Sequence, residues 1–564
     1  MSNLPEAARA QLAALVTAAY ETAVAEGALP TGAAAPEVET PRDAAHGDWA
    51  TGFALAAART LRRPPRAIAE AVVARMEMSG SYFSSVEVAG AGFINARLSD
   101  AWYDAVLAHI AAEGDAYGRQ EDAGQGRRVL VEFVSANPTG PMTIGNARGG
   151  VLGDTLAAVL DAAGCAVSRE FYLNDAGHQV ELFGASLEAR YLQARRGPDA
   201  CPFPEDGYHG DDIRVIAEAF AGEHGDAYVD APPRARRDAL IAFGLPKNIE
   251  RMRTDLARYR IRYDRWFPES ELHASGYVRE TIDLLTARGH TYQKDGALWF
   301  RATAFGCDKD DVLQKSNGFY TYYAVDIAYH RDKFEKRGFD LAIDVLGADH
   351  HGHTLRFQAG MAALGIDPAR LRFVLMQLVR LTRDGEVVRV SKRTGRAITL
   401  SDLLDEIPVD AARFFFNQRQ SNTHLEFDMD LAVRTDAENP VYYVQYAHAR
   451  ISSLLKLLAG EGLTPAPPDI PVAACFTAPE ERELLRKLAD YPEEIRQAAR
   501  AFEPAAINRY AVELAGCFHR FYNACRIRGA ETETARARLA AAAAARQVLK
   551  NALTLLGISA PESM

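Results

Sequence analysis

The chain has 564 residues, too many for one compact core, so three or four domains are expected. Its 48% hydrophobic and 25% charged residues are ordinary globular proportions, which excludes a disordered chain, and no apolar run is long enough to span a membrane. The net charge of −11 speaks against nucleic-acid binding by bulk charge; residues 441–564, with 15 Lys and Arg against 13 Asp and Glu, still permit RNA recognition through single arginines and aromatics.

The N-terminus, MSNLPEAARAQ, has no basic segment ahead of an apolar core, so no signal peptide is visible. Six cysteines lie scattered without a C-x-x-C pair, which argues against a zinc ribbon or a disulfide framework and suits a reducing cytoplasm.

Residues 4–27 read as an amphipathic helix, followed by a Pro- and Gly-rich loop. Helical stretches around 49–62 and 65–78 and two short strands, YFSSVEVAG and GFINARLSD, complete a small α+β domain over residues 1–100. A helix at 101–113 and the charged RQEDAGQGRR lead into RVLVEFVSA, an apolar run of β-formers closed by Asn-Pro and Gly-Pro that reads as a buried strand. From there FYLND, ALWFR and LAIDVLGAD alternate with helical segments. That is the pattern of a doubly wound, Rossmann-type parallel sheet, expected over 121–408 with an insertion at about 185–300.

After residue 408 the pattern is helical, and residues 437–564 are expected to form an all-α bundle. PVYYVQYAHARISSLLKLLAG is a helix opening at a proline. TAPE predicts a capping box, with Thr477 as N-cap and Glu480 three residues on. Ile507, Tyr510, Ala511, Leu514, Phe518, Phe521 and Cys525 recur at helical spacing and read as bundle core in preference to a base-stacking platform.

The chemistry concentrates in SANPTGPMTIGNARGG, where a strand hands over to a helix beginning near Thr143. That arrangement presents backbone N–H groups to an anion. Gly140 permits a sharp turn, and Gly145, Gly149 and Gly150 remove side chains where a ligand would press. Thr143 and Asn146 supply neutral donors and Arg148 a charged one, with no carboxylate nearby. These residues leave two readings open: a phosphate site, or a tight helix–strand contact that needs small residues.

SANPTGPMTIGNARGGVLGD followed by VSREFYLNDAGHQVELFG resembles the arginyl-tRNA synthetase family of class I. The family's His-x-Gly-His signature falls on Thr143-Ile144-Gly145-Asn146, and its Lys-Met-Ser-Lys-Ser-type loop on Arg389-Val390-Ser391-Lys392-Arg393, within 389–395. HGDWATGFALAAA and AGAGFINARLS resemble its N-terminal domain, DVLGADHHGH its catalytic core, and ENPVYYVQYAHARI and FHRFYNACRI its anticodon-binding domain. Two departures stand out: both signature histidines are replaced, by Thr143 and Asn146, and the loop's first lysine is Arg389. A hydroxyl and an amide still donate hydrogen bonds, though neither carries charge.

The resemblance implies ATP-dependent ligation of arginine to its tRNA through arginyl-adenylate, a step of translation, in a cytoplasmic monomer. It implies Thr143, Asn146, Lys392 and Arg389 as catalytic groups, and an ATP site of Pro138, Gly140, Thr143, Gly145, Asn146, Gly149, Ser391 and Lys392. Mg²⁺ would accompany ATP without a protein cage, and no zinc is implied. Arginine would be held by Glu132, Ser135, Asn137, Tyr322, Asp326 and His350, and tRNA by Tyr442, Tyr446, Arg450 and Arg526, with the N-terminal domain touching the tRNA's outer corner.

Each assignment has a bland counterpart. RVSKRTGR could be a solvated basic turn, Asp326 a helix cap or a partner of Arg331 or Lys333, and about half of Tyr442, Tyr443, Tyr446 and His448 core packing. Asp349, His350, His351 and His353 suggest a metal, but i, i+1, i+3 spacing in a Gly-rich turn rarely lets three rings converge. A glutamyl or cysteinyl specificity is disfavoured by Glu132 and Asp326, which suit a cation, and by the missing zinc cysteines. A non-catalytic RNA-binding relative remains the alternative from another class, and the absence of G-x-G-x-x-G excludes a dinucleotide-dependent dehydrogenase.

Overall fold

A computed structural model describes residues 3–388, apart from Arg42 and Asp122, and residues 397–564. Arg389, Ser391 and Lys392 of the expected signature loop lie outside the described residues.

The N-terminal region packs the helices Leu4–Ala25, Phe53–Leu61 and Pro65–Val73 against a four-stranded antiparallel sheet. Two of its strands, Val38–Glu39 and Trp49–Thr51, were not expected, and Trp49 had been read as helical. Three residues are too few to show alternation; pairing with Ile94–Ala96 is what makes Trp49–Thr51 a strand.

The centre is a five-stranded parallel sheet. Its elements are β1 (Arg128–Glu132), α1 (Ile144–Ala162), β2 (Ala166–Leu173), β3 (Arg265–Pro268), α2 (Tyr322–Arg331), β4 (Leu341–Gly347), α3 (His351–Ala363) and β5 (Leu371–Met376). Strand order is β5-β4-β1-β2-β3, so the winding reverses between β1 and β4, where doubly wound sheets bind ligands.

Two expectations change here. ALWFR is not in this sheet: Ala297–Phe300 is the middle strand of a separate antiparallel sheet of three. The stretch 185–300 is not one insertion, because β3 lies within it as the edge of the parallel sheet.

The remaining helices include α4 (Pro440–Gly460), α5 (Pro479–Ala489), α6 (Tyr491–Ala501), α7 (Ala505–Ala524) and α8 (Thr532–Leu555). Ile507, Tyr510, Ala511, Leu514, Phe518, Phe521 and Cys525 are all buried, as core. The cap of α5 sits one residue later than TAPE suggested: Ala478 is the N-cap and Glu481 accepts its N–H at 2.8 Å. Glu481 wins because it is fully buried and paired with Arg538 at 2.6 Å.

One apolar core runs from Leu4 through β1 and α1 into the bundle and on to Ile558. Arg413, fully buried, pins the parts together: its guanidinium donates to the Leu556 carbonyl (2.9 Å), the Tyr259 carbonyl (3.0 Å) and Asp154 (2.6 Å).

Candidate active site

At the C-terminal end of β1 the chain turns through Val134 (φ 70°) and Ser135 (φ 42°), a conformation costly to non-glycine residues, about 1–3 kcal/mol each. Hydrogen bonds hold it there. The Ser135 hydroxyl donates to Glu132 Oε1 at 2.9 Å and accepts from the Tyr172 N–H at 3.1 Å. Asn137 is exposed just beyond, and the buried Pro138 carbonyl accepts from Asn248 at 3.0 Å.

α1 then begins with Thr143 as N-cap. Asn146 Oδ1 accepts from the Thr143 N–H (2.8 Å) and from its hydroxyl (3.0 Å). Two donors aimed at one amide atom make that atom the oxygen, so the Asn146 NH₂ is left to face outward. The Thr143 hydroxyl hydrogen is spent on the cap, so Asn146 and the first-turn amides are the better-placed donors.

The glycines divide. A Cβ on Gly140 or Gly145 would meet only ordinary contacts, at 3.9 Å from an Asp212 carboxylate oxygen and 3.6 Å from Thr143 Oγ1, so a side chain would fit at either. Gly149 rests on Met376, and Cβ atoms on Gly150 and Gly153 would come within 2.7 Å of Ile261 and 2.2 Å of Phe133. The tight-contact reading therefore holds at Gly150 and Gly153, while Gly145, on the first turn of the same helix, meets no such contact.

Arg148 does not reach the ligand side. It is 1% exposed and donates to three carbonyls: Gln377 (2.6 Å), Thr423 (3.0 Å) and Gln420 (3.0 Å). Burial lowers its pKa to about 10. Its work is to clamp α1 to the segment leading into Val379–Arg383, whose hairpin partner is Glu386–Val388. Beyond the undescribed loop, the Leu400 N–H donates to the Met142 carbonyl at 2.9 Å and Thr399 bridges to Thr143. A cleft of about 750 Å³ opens here, lined by Thr143, Gly145, Arg380, Val388, His424 and Glu426 among others.

Two of the arginine candidates lie on α2. Tyr322 and Asp326 lie one helical turn apart and line one cleft of about 460 Å³, with Asp311, His353 and Arg356. Neither bland reading of Asp326 holds: it sits mid-helix, Arg331 pairs with Glu280 and Glu335, and Lys333 pairs with Glu132 and Asp344. Among the described residues its carboxylate has no hydrogen-bond or ion-pair partner. Burial, reinforced by the negative charges of Glu269 and Glu132, raises its pKa to about 7. His350 is exposed in the turn after β4, its ring 5.7 Å from that of His353.

Sequence reasoning missed what lies under Glu132. The sheet register sets Glu170, Glu132 and Asp344 side by side on three neighbouring strands. Lys333 Nζ, wholly buried, bridges Glu132 Oε2 (2.6 Å) and Asp344 Oδ1 (2.8 Å). Burial works against its charge, yet the two carboxylates hold its pKa above the ordinary lysine range. Burial likewise opposes the Asp344 charge, and Lys333 and His330 outweigh it, holding that carboxyl below its usual range. Glu170 is matched separately by Arg337 and by the Tyr329 hydroxyl at 2.6 Å.

On α4 the Tyr442 and Tyr446 rings stack 6.1 Å apart, and the Arg450 guanidinium lies 4.1 Å over Tyr522. Tyr446 is 39% exposed and Arg526 is exposed. His448 is not part of that face: it is buried and hydrogen-bonds the Pro561 carbonyl at 2.8 Å.

A parallel sheet that meets a helix N-terminus beside its switch point is the frame of a class I aminoacyl-tRNA synthetase catalytic domain. The model for "tRNA synthetases class I (R), catalytic domain" matches residues 107–200 and 245–452. "Arginyl tRNA synthetase N terminal domain" matches 10–98, and "DALR anticodon binding domain" matches 444–564. The arginine--tRNA ligases of Acetivibrio thermocellus and Caldanaerobacter subterraneus subsp. tengcongensis are 50% and 52% identical, covering 100% of both chains. Among solved structures, a putative arginyl-tRNA synthetase from Campylobacter jejuni matches with TM-score 0.75 and 31% identity, over 83% of this chain and 100% of that one. The Thermus thermophilus arginyl-tRNA synthetase shares the fold, with TM-score 0.72 and 22% identity over 99% and 100%. The chain belongs to the arginyl-tRNA synthetase family.

Proposed function

We propose that the chain carries out the reaction of its family, joining arginine to tRNA at the expense of ATP, with the residues above in definite roles. The arginine carboxylate attacks the α-phosphorus of ATP, pyrophosphate leaves, and a terminal ribose hydroxyl of the tRNA then takes the arginyl group. No protein nucleophile is needed; alignment and charge stabilisation suffice.

The observation that supports this most is the Asp326 carboxylate on α2, unpaired among the described residues, with Tyr322 one turn away. A guanidinium needs a planar acceptor, and Asp326 offers its whole fork. Glu132 has one oxygen on Lys333 and one on Ser135, leaving its outer lone pairs for substrate. Asn137 and His350 flank the same end of the sheet. The phosphates meet the amides of Ile144 and Gly145 and the Asn146 NH₂, and Lys392, with Arg389 or Arg393, reaches the departing pyrophosphate. Glu426 is the only carboxylate among the described lining residues of that cleft, so Mg²⁺ would be carried by phosphate oxygens and water. Tyr442, Tyr446, Arg450 and Arg526 receive unstacked tRNA bases.

Arginine-dependent exchange of pyrophosphate into ATP, with and without arginine tRNA, tests the reading on the wild type and Lys392→Ala. Exchange that needs arginine and collapses in the variant supports it, and shows that Asn146 serves without the signature histidines. Absence of exchange from protein that still binds the tRNA would replace it with a non-catalytic RNA-binding role.

A further inference from the structure

The residue at issue is Lys333, which no motif singled out and which the roles above do not use. It lies in a π-helical turn, Asp332–Lys336, that follows α2, and that turn directs it inward, onto Glu132 and Asp344 of the sheet. A wholly buried lysine is uncommon and needs compensation, which here comes from two carboxylates on adjacent strands.

The geometry points to Lys333 as a positioning residue for arginine selection, an inference that rests on the function proposed above. The carboxylates near α2 form two sets. The inner pair, Glu132 and Asp344, is occupied by Lys333, with His330 Nε2 2.7 Å from the second oxygen of Asp344. Asp326, on the cleft side, has no ion-pair partner among the described residues, although the same His330 holds its backbone carbonyl through Nδ1 at 2.7 Å. The protein thus fills the deep seat with its own ammonium and leaves the shallow one to the substrate.

Two consequences follow. Lys333 and Ser135 grip Glu132 by its two different oxygens, so the carboxylate is held in one orientation. The seat between Glu132 and Asp344 is also closed to the side chain of an incoming cationic amino acid, which must stop at Asp326. A guanidinium fits that wider frame of two separated carboxylates better than a compact ammonium does.

The test measures KM for arginine and for ATP separately, in pyrophosphate exchange by the full-length protein. Lys333→Met is expected to raise the arginine KM about tenfold or more, the worth of one charged hydrogen bond, with the ATP KM within about twofold of wild type. Lys333→Arg keeps a cation between the two carboxylates and is expected to recover most of the loss. Because Lys333→Met leaves two buried carboxylates facing each other, the double variant Lys333→Met/Asp344→Asn removes the inner charges together and carries the test if the single variant does not fold. It too is expected to show the raised arginine KM. An arginine KM within about twofold of wild type in the folded double variant overturns the inference, as does an equal rise in both KM values. A wild type without arginine-dependent exchange overturns the proposed function, and this inference with it.

Discussion

The backbone N–H of Leu400 donates to the carbonyl of Met142 at 2.9 Å, one residue before the cap of α1. Thr399 and Thr143 bridge beside it, so the segment after the expected signature loop is fastened to the start of the helix proposed to meet the phosphates. Thr399 is also the N-cap of Leu400–Glu406, exchanging hydrogen bonds with Asp402. Thr399→Ala is expected to cost about 1 kcal/mol of stability through the lost cap. Because the loop's anchor loosens, KM for ATP should rise while KM for arginine stays close to wild type. Steady-state exchange kinetics with each substrate varied in turn would show whether the two values separate.

Gly145 and Gly153 lie on one helix, and their substitutions should behave oppositely. At Gly153 a Cβ would sit 2.2 Å from Phe133 Cγ, so Gly153→Ala must displace the end of β1 and is expected to destabilise by about 1–3 kcal/mol. At Gly145 the nearest atom is Thr143 Oγ1 at 3.6 Å, and alanine suits a helix better than glycine does. Gly145→Ala should leave the melting temperature unchanged or slightly higher and weaken ATP, since its methyl enters the phosphate space. Denaturant melts and ATP titrations on the two variants decide; a stable Gly145→Ala with unaltered ATP affinity would remove Gly145 from the phosphate site.

The division between those glycines marks how far the sequence could be read. The strand–turn–helix at 128–162 was legible because an apolar β-run, two prolines and a Thr at the cap are local signals. The buried stripe from Ile507 to Cys525 was legible through its period. Arg148 was misread as a ligand donor because its three acceptors, on Gln377, Gln420 and Thr423, lie 229 to 275 positions further along the chain. Lys333 and Glu132 are 201 positions apart, and no local pattern announces a pair that only the sheet register creates. His448 carries the same composition signal as Tyr446, and the helix face alone, one pointing to Pro561 and the other to solvent, separates them.

That separation is itself testable. Tyr446→Ala removes an exposed ring stacked on Tyr442 and on His519, and should weaken tRNA binding by about 1–3 kcal/mol, with the stability of the protein unchanged. His448→Ala should do the reverse: a buried contact and its hydrogen bond to Pro561 are lost, lowering the melting temperature, while tRNA affinity of the folded protein is kept. Equal effects of the two variants on tRNA binding would contradict an RNA-facing Tyr446.

Asp326 gives the protein a pH dependence whose sign follows from its environment. Its pKa is raised from an unfolded value of 3.8 to about 7, so between those values the native state holds a proton that the unfolded state has released. Stability from this group is therefore fully present below about pH 4 and is lost as pH rises through about 7. Arginine should reverse the penalty, because its guanidinium binds the ionised carboxylate and so binds more tightly at pH 8 than at pH 6. Thermal shift by arginine, measured across that range, should grow with pH in the wild type and be small and flat in Asp326→Asn, whose neutral amide neither titrates nor pairs with a cation. A shift that grows equally in both proteins would assign the titration, and the substrate's cation, to another carboxylate.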